Sequence, residues 1–209
     1  MKSRLLIIGA GGHGLVVADA AIEQGIWSEI AFLDDRVTEH PLIPYCPVLG
    51  VTNDAHKFVE QYQDLVVAVG DNKRRLQVID ECMNKGFNLP IISHPTATIS
   101  SYAEIGSGTF LAAHSVVNVG AKLGRGCIIN TSATVDHDNL LSDAVHVSPG
   151  AHLGGGVQVG KFTWIGIGAS VREQVTIGDN VIVGAGAAVV ENIEDNLQVL
   201  GVPARPKGI

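Results

Sequence analysis

The chain has 209 residues, of which 46% are hydrophobic, only 5% are aromatic, and 25 are glycine. Its net charge of −7 argues against nucleic acid as the main partner. Glycines interrupt the apolar start of the chain, and no apolar run reaches the roughly 18 residues of a membrane-spanning helix. Three widely spaced cysteines without a CxxC pair fit a reducing compartment, so we expect a cytoplasmic protein that binds neither membranes nor nucleic acid.

The first 90 residues alternate between predicted strands and predicted helices. Apolar runs predict strands over 4–8, 30–33 and 65–69, and apolar periodicity predicts helices over 15–24 and 73–85. Alternation of this kind indicates a small parallel α/β domain of Rossmann-like type, which we place at residues 1–90.

A glycine loop with the sequence GAGGHG (9–14) follows the first predicted strand and opens the first predicted helix. Glycines permit a tight turn, and the free N–H groups of a helix start favour a phosphate. Asp34 lies twenty residues beyond Gly14, where a dinucleotide-binding enzyme places its ribose-binding acid, so an oxidoreductase is one alternative. About 90 residues are too few for two mononucleotide-binding halves, and a single nucleoside diphosphate fits the size better.

A second strand-to-helix turn, GDN (70–72), belongs at the same edge of a parallel sheet as the glycine loop. Two such turns, with a basic run beside one of them, favour a nucleotide site. The alternatives are that the two aspartates at 34 and 35 only cap a turn, that Asn72 only caps its helix, and that the cations face solvent. The expected substrate-binding residues are Gly11, Gly12, His13, Asp34, Asp35, Gly70 and Asn72.

From Ile99 to Val189 an aliphatic residue recurs every six positions, sixteen times without a miss. The position four residues after each is nearly always small or β-branched. This register predicts a β-solenoid whose triangular coil takes three hexapeptides, so that residues eighteen apart stack. We assign residues 91–209 to this second domain.

One outward column of the predicted solenoid is bulky and apolar, in contrast to the polar column that begins at Glu104. We call it the apolar column; its members are Phe110, Ile128, His146, Trp164 and Ile182. Such a stripe needs a cover, so we expect a closed three-fold association of subunits, with His146 at the subunit interface.

His137 is flanked by Asp136 and Asp138 and is predicted to project outward near a corner of the coil. Gly155 lies one coil further in the same column, so its N–H should be about 5 Å from the histidine's position. Acyl transfer needs a base for the nucleophile's proton and a donor for the oxyanion. Either aspartate would hold the imidazole tautomer; the alternative is a polar corner with a capping Asp. Asn139 is the clearest polar exception at an inward position.

The solenoid histidines also raise the alternative of a zinc centre of the γ-carbonic-anhydrase type. The candidates share no stacking column, so we expect no metal. They are His114, His137, His146 and His152.

The segments GAGGHG, AFLDD, AVGDNKRR, NTSATVDHDN, VHVSPGA and GVPAR together resemble the bacterial sugar acyltransferases of the sialic-acid O-acetyltransferase type. That family includes the N-acetyltransferases of nucleotide-linked 4-amino-4,6-dideoxy sugars. The resemblance covers essentially the whole chain. It implies a left-handed parallel β-helix, acetyl-CoA as co-substrate, nucleotide sugar on the N-terminal domain, and a homotrimer with active sites between subunits.

Residue by residue, the resemblance implies that His137 is the general base, that Asp138 raises its basicity, and that Gly155 donates to the oxyanion. It also implies an acetyl-CoA site that includes Gly155, with His146 near the thioester and Ile167 and Gly184 along the pantetheine arm. From charge alone we add candidates for the CoA phosphates: Lys161, Arg172, Arg205 and Lys207.

The expected activity is acetyl-CoA-dependent acetylation of the 4-amino group of a dTDP- or UDP-linked 4-amino-4,6-dideoxyhexose, with GDP also open. A sialic-acid-type sugar O-acetyltransferase is one alternative, and a nucleotide-sugar-binding protein without catalytic activity is another.

Overall fold

The protein is described by a computed structural model that covers residues 3–36 and 46–207. Its N-terminal elements are β1 (Arg4–Ile8), α1 (Gly12–Gln24), β2 (Glu29–Leu33), β3 (Val48–Gly50), a 3-10 helix (Thr52–Lys57), β4 (Asp64–Val67) and α2 (Asn72–Asn84). The strands form one parallel sheet in the order β3-β2-β1-β4, which confirms the predicted α/β fold. No helix in the described ranges is long and apolar enough to cross a membrane.

The order of this sheet explains why both predicted turns meet. β1 pairs with β2 on one side and with β4 on the other, all in parallel, so the carboxyl ends of β1 and β4 lie together. Each of these two strands runs directly into a helix. α1 begins at Gly12, earlier than predicted, because the last glycines of the loop form its first turn.

The rest of the chain is a solenoid of two-residue strands. In chain order they are β5 (Ile92–Ser93), β6 (Thr98–Ile99), β7 (Glu104–Ile105), β8 (Phe110–Leu111), β9 (Val116–Val117), β10 (Lys122–Leu123), β11 (Ile128–Ile129), β12 (Thr134–Val135), β13 (Leu140–Leu141), β14 (His146–Val147), β15 (His152–Leu153), β16 (Gln158–Val159), β17 (Trp164–Ile165), β18 (Ser170–Val171), β19 (Thr176–Ile177), β20 (Ile182–Val183) and β21 (Ala188–Val189). Two further strands, β22 (Gln198–Leu200) and β23 (Arg205–Pro206), follow at the carboxyl end.

The strands stack in three sheets with the predicted register, and all pairs are parallel except β22 with β23. Residues eighteen apart are paired, as Thr134 with His152 and His146 with Trp164. Fourteen of the sixteen in-phase aliphatic residues are buried in one continuous core. Ile99 is 38% exposed, because β6 is the edge strand of its sheet and has no coil beneath it. The first solenoid strand begins at Ile92, and our division at residue 90 stays a proposal.

Part of the apolar column is covered within the chain, which the sequence did not predict. Phe110 and Ile128 are only 2% and 1% exposed in a single chain, since they pack in one core with residues of the N-terminal domain such as Ile7 and Val17. The column's first half is therefore covered within the subunit. Trp164 and Ile182, further along, stay 44% and 45% exposed.

Arg75 joins the two domains although the sequence suggested a surface or nucleotide-facing cation. Its side chain is 1% exposed and lies among the carbonyl groups of both domains. The guanidinium donates to Gly126 O (2.8 Å) and Ala144 O (3.0 Å) of the solenoid, and to Val69 O (3.0 Å) at the end of β4. No ion pair to a carboxylate is formed by this guanidinium within the described residues. Burial is the main cause that lowers its pKa to about 10.

Candidate active site

A cavity of about 370 Å³ lies at the carboxyl ends of β1 and β4. It brings together six of the seven residues that the sequence assigned to the nucleotide sugar, all except Asn72. Its size is in the range of small-molecule sites. Its lining includes Gly9, Gly11, Gly12, His13, Asp34, Asp35, Arg36, Thr52, Val69 and Gly70.

At two positions of the glycine loop, nearby backbone atoms leave no room for a side chain. Gly9 has a φ of +99°, a conformation that favours glycine, and a Cβ there would lie 2.8 Å from Ala68 O. A Cβ at Gly14 would collide with Gly9 O. Gly12, in contrast, has open space around it at the start of α1. The loop therefore folds tightly over the helix start, whose free N–H groups belong to the cavity wall.

Asp34 and Asp35 act mainly as anchors of the loops around the cavity. Asp34 is 6% exposed, and its carboxylate accepts from Ala10 N (2.7 Å) and Arg36 N (2.8 Å). Asp35 accepts from Thr52 N at 2.8 Å and is otherwise exposed. The turn-capping alternative thus applies to both, and the exposed Asp35 retains carboxylate surface for a ligand.

Asn72 makes structural contacts and lines a neighbouring cavity instead of this one. Its amide donates to Phe162 O (2.9 Å), and its Oδ1 accepts from Arg75 Nη2 (2.8 Å). It is also not the helix cap, because Asp71 occupies that position and accepts from Arg74 N at 2.7 Å. Both amide groups of Asn72 are therefore used to hold α2 against the solenoid.

Two neutral histidines lie where the domains meet. Burial, helped by the nearby Arg75 cation, lowers the pKa of His13 to about 4. Burial lowers the pKa of His146 to about 3, with Arg75 and His13 as further causes. His13 packs its ring edge-to-face on Phe110 at 5.5 Å. At neutral pH neither ring carries a charge, so each can offer one N–H donor and one acceptor only.

His146 is 9% exposed and stacks on Trp164, with ring centroids 5.3 Å apart. Most of this burial is already present within one chain, and the expected place of His146 at a subunit interface stays a prediction. Its Nε2 lies 3.3 Å from Asn130 Nδ2, and its buried Nδ1 has no hydrogen-bond partner among the described residues.

The cavity at the glycine loop continues along the solenoid. A second cavity of about 420 Å³ shares Gly70 with the first and reaches Trp164 and Ile182. A third, of about 240 Å³, shares those two side chains and includes Ile167 and Gly184. The structure thus brings the two predicted pantetheine residues together. Trp164 was missed as a site residue, although its place in the apolar column was a usable signal.

His137 lies at the corner between β12 and β13 with its side chain 56% exposed. Its Nδ1 is 2.8 Å from Asp138 Oδ2, so Asp138 and not Asp136 holds the ring. This hydrogen bond is the main cause that raises the pKa of His137, and the charge of Asp136 adds to it. Asp136 instead accepts from His137 N (2.7 Å) and from Asn118 Nδ2 (2.8 Å), which fixes the corner.

Gly155 lies directly under the imidazole. A Cβ at this position would collide with His137 Nε2, so only glycine lets the ring rest there. Gly156 N donates to His137 O at 2.9 Å, whereas the N–H of Gly155 has no acceptor among the described residues. The arrangement offers a basic nitrogen and a free amide donor side by side, as the stacking register predicted.

The four cations proposed from charge alone are not gathered at one place in the chain. Lys161 and Arg172 are exposed and lie on different corners of the coil, after β16 and after β18. Arg205 is 3.5 Å from Glu191 near the carboxyl end, and Lys207 follows it there. A single phosphate therefore cannot contact all four within one subunit. Among the described residues, no group of three His, Cys, Asp or Glu side chains is arranged to hold a metal ion.

A glycine-loop α/β domain joined to a hexapeptide solenoid, with a His–Asp pair at a corner, defines a transferase of the hexapeptide class. Residues 4–82 match the family profile described as PglD N-terminal domain, and residues 156–190 match bacterial transferase hexapeptide (six repeats).

Solved structures extend this similarity to the whole chain. The acetyltransferase domain of PglB from Neisseria gonorrhoeae in complex with acetyl coenzyme A is 45% identical, with 99% of this chain and 100% of that chain covered and a TM-score of 0.94. A histidine-to-alanine variant of GDP-perosamine N-acetyltransferase from Caulobacter crescentus, in complex with CoA and GDP-perosamine, is 36% identical, with 100% and 99% covered and a TM-score of 0.95.

A curated relative, GDP-perosamine N-acetyltransferase of Escherichia coli O157:H7, is 29% identical over 86% of this chain and 82% of its own length. The chain belongs to the PglD-like family of bacterial sugar acyltransferases, and its solenoid is the left-handed β-helix of that family.

Proposed function

We propose that this protein transfers the acetyl group of acetyl-CoA to the 4-amino group of a nucleotide-linked 4-amino-4,6-dideoxyhexose. The observation that carries the proposal is the placement of His137, held by Asp138, over the free N–H of Gly155. The relatives support the substrates, because their names and complexes include acetyl coenzyme A, CoA and GDP-perosamine. Among the three nucleotides that the sequence left open, the names and complexes of the relatives favour GDP.

In the proposed reaction, the amine nitrogen attacks the thioester carbonyl carbon and a C–N bond forms. His137 Nε2 takes a proton from that nitrogen, and the Gly155 N–H stabilises the oxyanion. Collapse of the tetrahedral intermediate breaks the C–S bond, and the CoA thiolate leaves and takes the proton from the imidazolium. Asp138 stabilises the imidazolium and holds the tautomer that leaves Nε2 free.

The nucleotide cavity and the connected groove suggest how the substrates lie. The cavity at the glycine loop would hold the nucleotide, and the groove past Trp164 to Ile167 and Gly184 would hold the pantetheine arm of CoA. Asp35, which keeps exposed carboxylate surface, is our candidate for a ligand hydroxyl.

The geometry of one coil supports a homotrimer with shared sites. His137 and His146 are nine residues apart, half of an eighteen-residue coil, so they lie on opposite sides of the triangle. One subunit cannot direct both at the same thioester. We propose that His137 of one subunit works beside His146 and the groove of the next, in the cytoplasm, where the buried free cysteines stay reduced.

The test is release of CoA thiol from acetyl-CoA in the presence of UDP-, dTDP- and GDP-linked 4-amino-4,6-dideoxyhexoses and of their 4-hydroxyl analogues. We expect release with one or more amino sugars, and an acetyl mass added to that sugar. Release with the 4-hydroxyl analogues in place of the amino sugars would establish O-acetylation instead, and no release with any sugar would contradict the proposal.

The base is tested by His137→Asn, which keeps a similar size but has no basic nitrogen. We expect kcat to fall roughly 10²- to 10⁴-fold while nucleotide binding stays intact. His114→Asn is the matched control, because His114 is another exposed corner histidine of the solenoid and is not part of the proposed site. Wild-type turnover in the His137 variant would rule out this residue as the base.

A further inference from the structure

Asn139 is a fully buried amide at a position where the neighbouring coils carry aliphatic residues. It is 0% exposed, and the residues eighteen positions before and after it are Ala121 and Val157. Burial of an amide in an aliphatic column costs free energy unless the amide is hydrogen-bonded. Asn139 Oδ1 has no hydrogen-bond partner among the described residues, so this half of the amide is buried at a cost in stability. The hydrogen bonds of this amide are therefore all made by its Nδ2 hydrogens.

Both amide hydrogens of Asn139 bind backbone carbonyls next to the proposed reaction site. Nδ2 donates to Asp136 O at 2.7 Å and to Gly154 O at 2.9 Å. The first carbonyl belongs to the peptide that links Asp136 to His137. The second belongs to the peptide that links Gly154 to Gly155, one coil away. One side chain thus holds the two peptides that carry the proposed base and the proposed oxyanion donor.

The planarity of the peptide makes the second bond directional. In a trans peptide the C=O and the N–H point in opposite directions. Asn139 binds Gly154 O from inside the coil, so the N–H of Gly155 is turned outward, where it has no protein acceptor among the described residues. A hydrogen bond to the carbonyl also polarises the same peptide and strengthens its N–H as a donor.

The solenoid contains simpler versions of this contact. Three other inward side chains bind the carbonyl fifteen residues later, each with a single donor: Thr109 Oγ1 to Gly124 O (3.2 Å), Cys127 Sγ to Ser142 O (3.3 Å) and Thr163 Oγ1 to Gly178 O (2.7 Å). Asn139 has the same span to Gly154, and it adds a second bond within its own coil. One donor is therefore enough to link a side chain to the carbonyl of the next coil. The second hydrogen bond of Asn139 is made at the corner that carries His137.

We propose that Asn139 is a positioning residue for acetyl transfer, which orients the Gly155 N–H and sets its place relative to His137. This inference rests on the proposed function. Asn139 touches neither substrate, and acts through the two peptides that it binds.

The experiment compares Asn139→Val, which has no donor, with Asn139→Thr, which has one, in thiol-release kinetics with the accepted amino sugar. We expect Asn139→Val to lower kcat on the order of 10- to 100-fold, because small misplacements of catalytic groups have such effects. KM for the nucleotide sugar should not change, since that site lies in the other domain. Asn139→Thr should recover part of the loss through the Gly154 contact.

Thr109→Val is the matched control, since it removes the hydroxyl that makes the same fifteen-residue contact at a corner without His137. We expect it to lower Tm and to leave kcat and the acid limb of the pH–rate profile unchanged. In Asn139→Val that limb should move to lower pH, because a loosened corner weakens the Asp138 hydrogen bond that raises the His137 pKa.

Wild-type kcat in Asn139→Val, or an equal loss of kcat in Thr109→Val, would overturn the inference. If Asn139→Val does not fold, Asn139→Thr decides, and wild-type kcat in that variant overturns it. The proposed function fails separately: wild-type protein then releases no thiol with any amino sugar, or His137→Asn keeps full activity.

Discussion

The two domains hold their candidate site residues by different means. In the solenoid, His137 and Gly155 meet because they are eighteen residues apart and the coil repeats every eighteen residues. In the α/β domain, the cavity joins turns near residues 12, 34 and 70, which meet only because β1 lies between β2 and β4. The solenoid positions its groups by the ladder of neighbouring strands, and the α/β domain positions them by the order of its sheet. Substitutions in the solenoid should therefore mainly affect kcat, and substitutions in the α/β domain should mainly affect stability and nucleotide affinity.

The contact between neighbouring coils is tested by Gly155→Ala. The added methyl group would collide with His137 Nε2, so the ring must move away from the Gly155 N–H. We expect kcat to fall on the order of 10²-fold with little change in KM for the nucleotide sugar. Steady-state kinetics check this. Gly150→Ala is the control: the added methyl group has open space there, although the positive φ of Gly150 adds a backbone strain that Gly155→Ala does not. An equal loss of activity in that variant would contradict the explanation by collision with His137.

The packing of the glycine loop is tested by Gly14→Ala. Alanine normally stabilises a helix relative to glycine, but here its Cβ would collide with Gly9 O. We expect the free energy of unfolding to fall by about 1–3 kcal/mol, and the affinity for a nucleoside diphosphate to fall with it. Urea unfolding and calorimetric titration measure the two quantities. Gly12→Ala, with nothing near its Cβ, should keep wild-type stability, and equal destabilisation of both variants would show that the loop tolerates no side chain anywhere.

The contact between the domains is tested by pH. His13 and His146 have pKa values of about 4 and about 3 in the folded protein, below the ordinary value of 6.5. The unfolded state therefore binds protons first as the pH falls. The free energy of unfolding should decrease below pH 6.5, by up to about 1.4 kcal/mol per pH unit for each histidine.

Urea unfolding between pH 7 and pH 5 measures this slope, and His146→Gln should make it shallower. His137, whose raised pKa acts in the opposite direction, is present in both proteins and does not affect the difference. Equal slopes would mean that His146 is not buried by the N-terminal domain in solution.

The sequence predicted the solenoid more completely than the α/β domain. A period of six identified the register, and the register placed Gly155 beside His137 without knowledge of any other contact. The turns at Gly12 and Gly70 were also predicted to meet, because strand polarity is enough to bring them to one edge. The residues alone left the choice between Asp136 and Asp138 open. The family resemblance indicated Asp138, and that is the residue whose carboxylate holds the imidazole, at 2.8 Å.

The contact between the two domains could not be predicted from the sequence. The apolar column correctly required a cover, but periodicity within the solenoid does not say which surface covers it, and the expected partner subunit was the wrong choice for Phe110 and Ile128. Arg75 belongs to the basic run KRR (73–75), which suggested a cation that faces solvent or a nucleotide. Helical spacing, however, puts it on the same side of α2 as Leu76 and Ile79, which are buried. That spacing was the available signal.

Arg75 also bears on how the enzyme admits its substrates. Its guanidinium lies between carbonyl groups of both domains, and separation of the domains would break these hydrogen bonds and expose the apolar surfaces of Phe110 and Ile128 to water. A hinge that opens and closes between the domains is therefore costly, and a ligand of the cavity at the glycine loop has to enter it as it stands. Under the proposed function, selection among nucleotide sugars would then depend on how well each one fits a cleft that is already formed, with no closing motion to reject the wrong one.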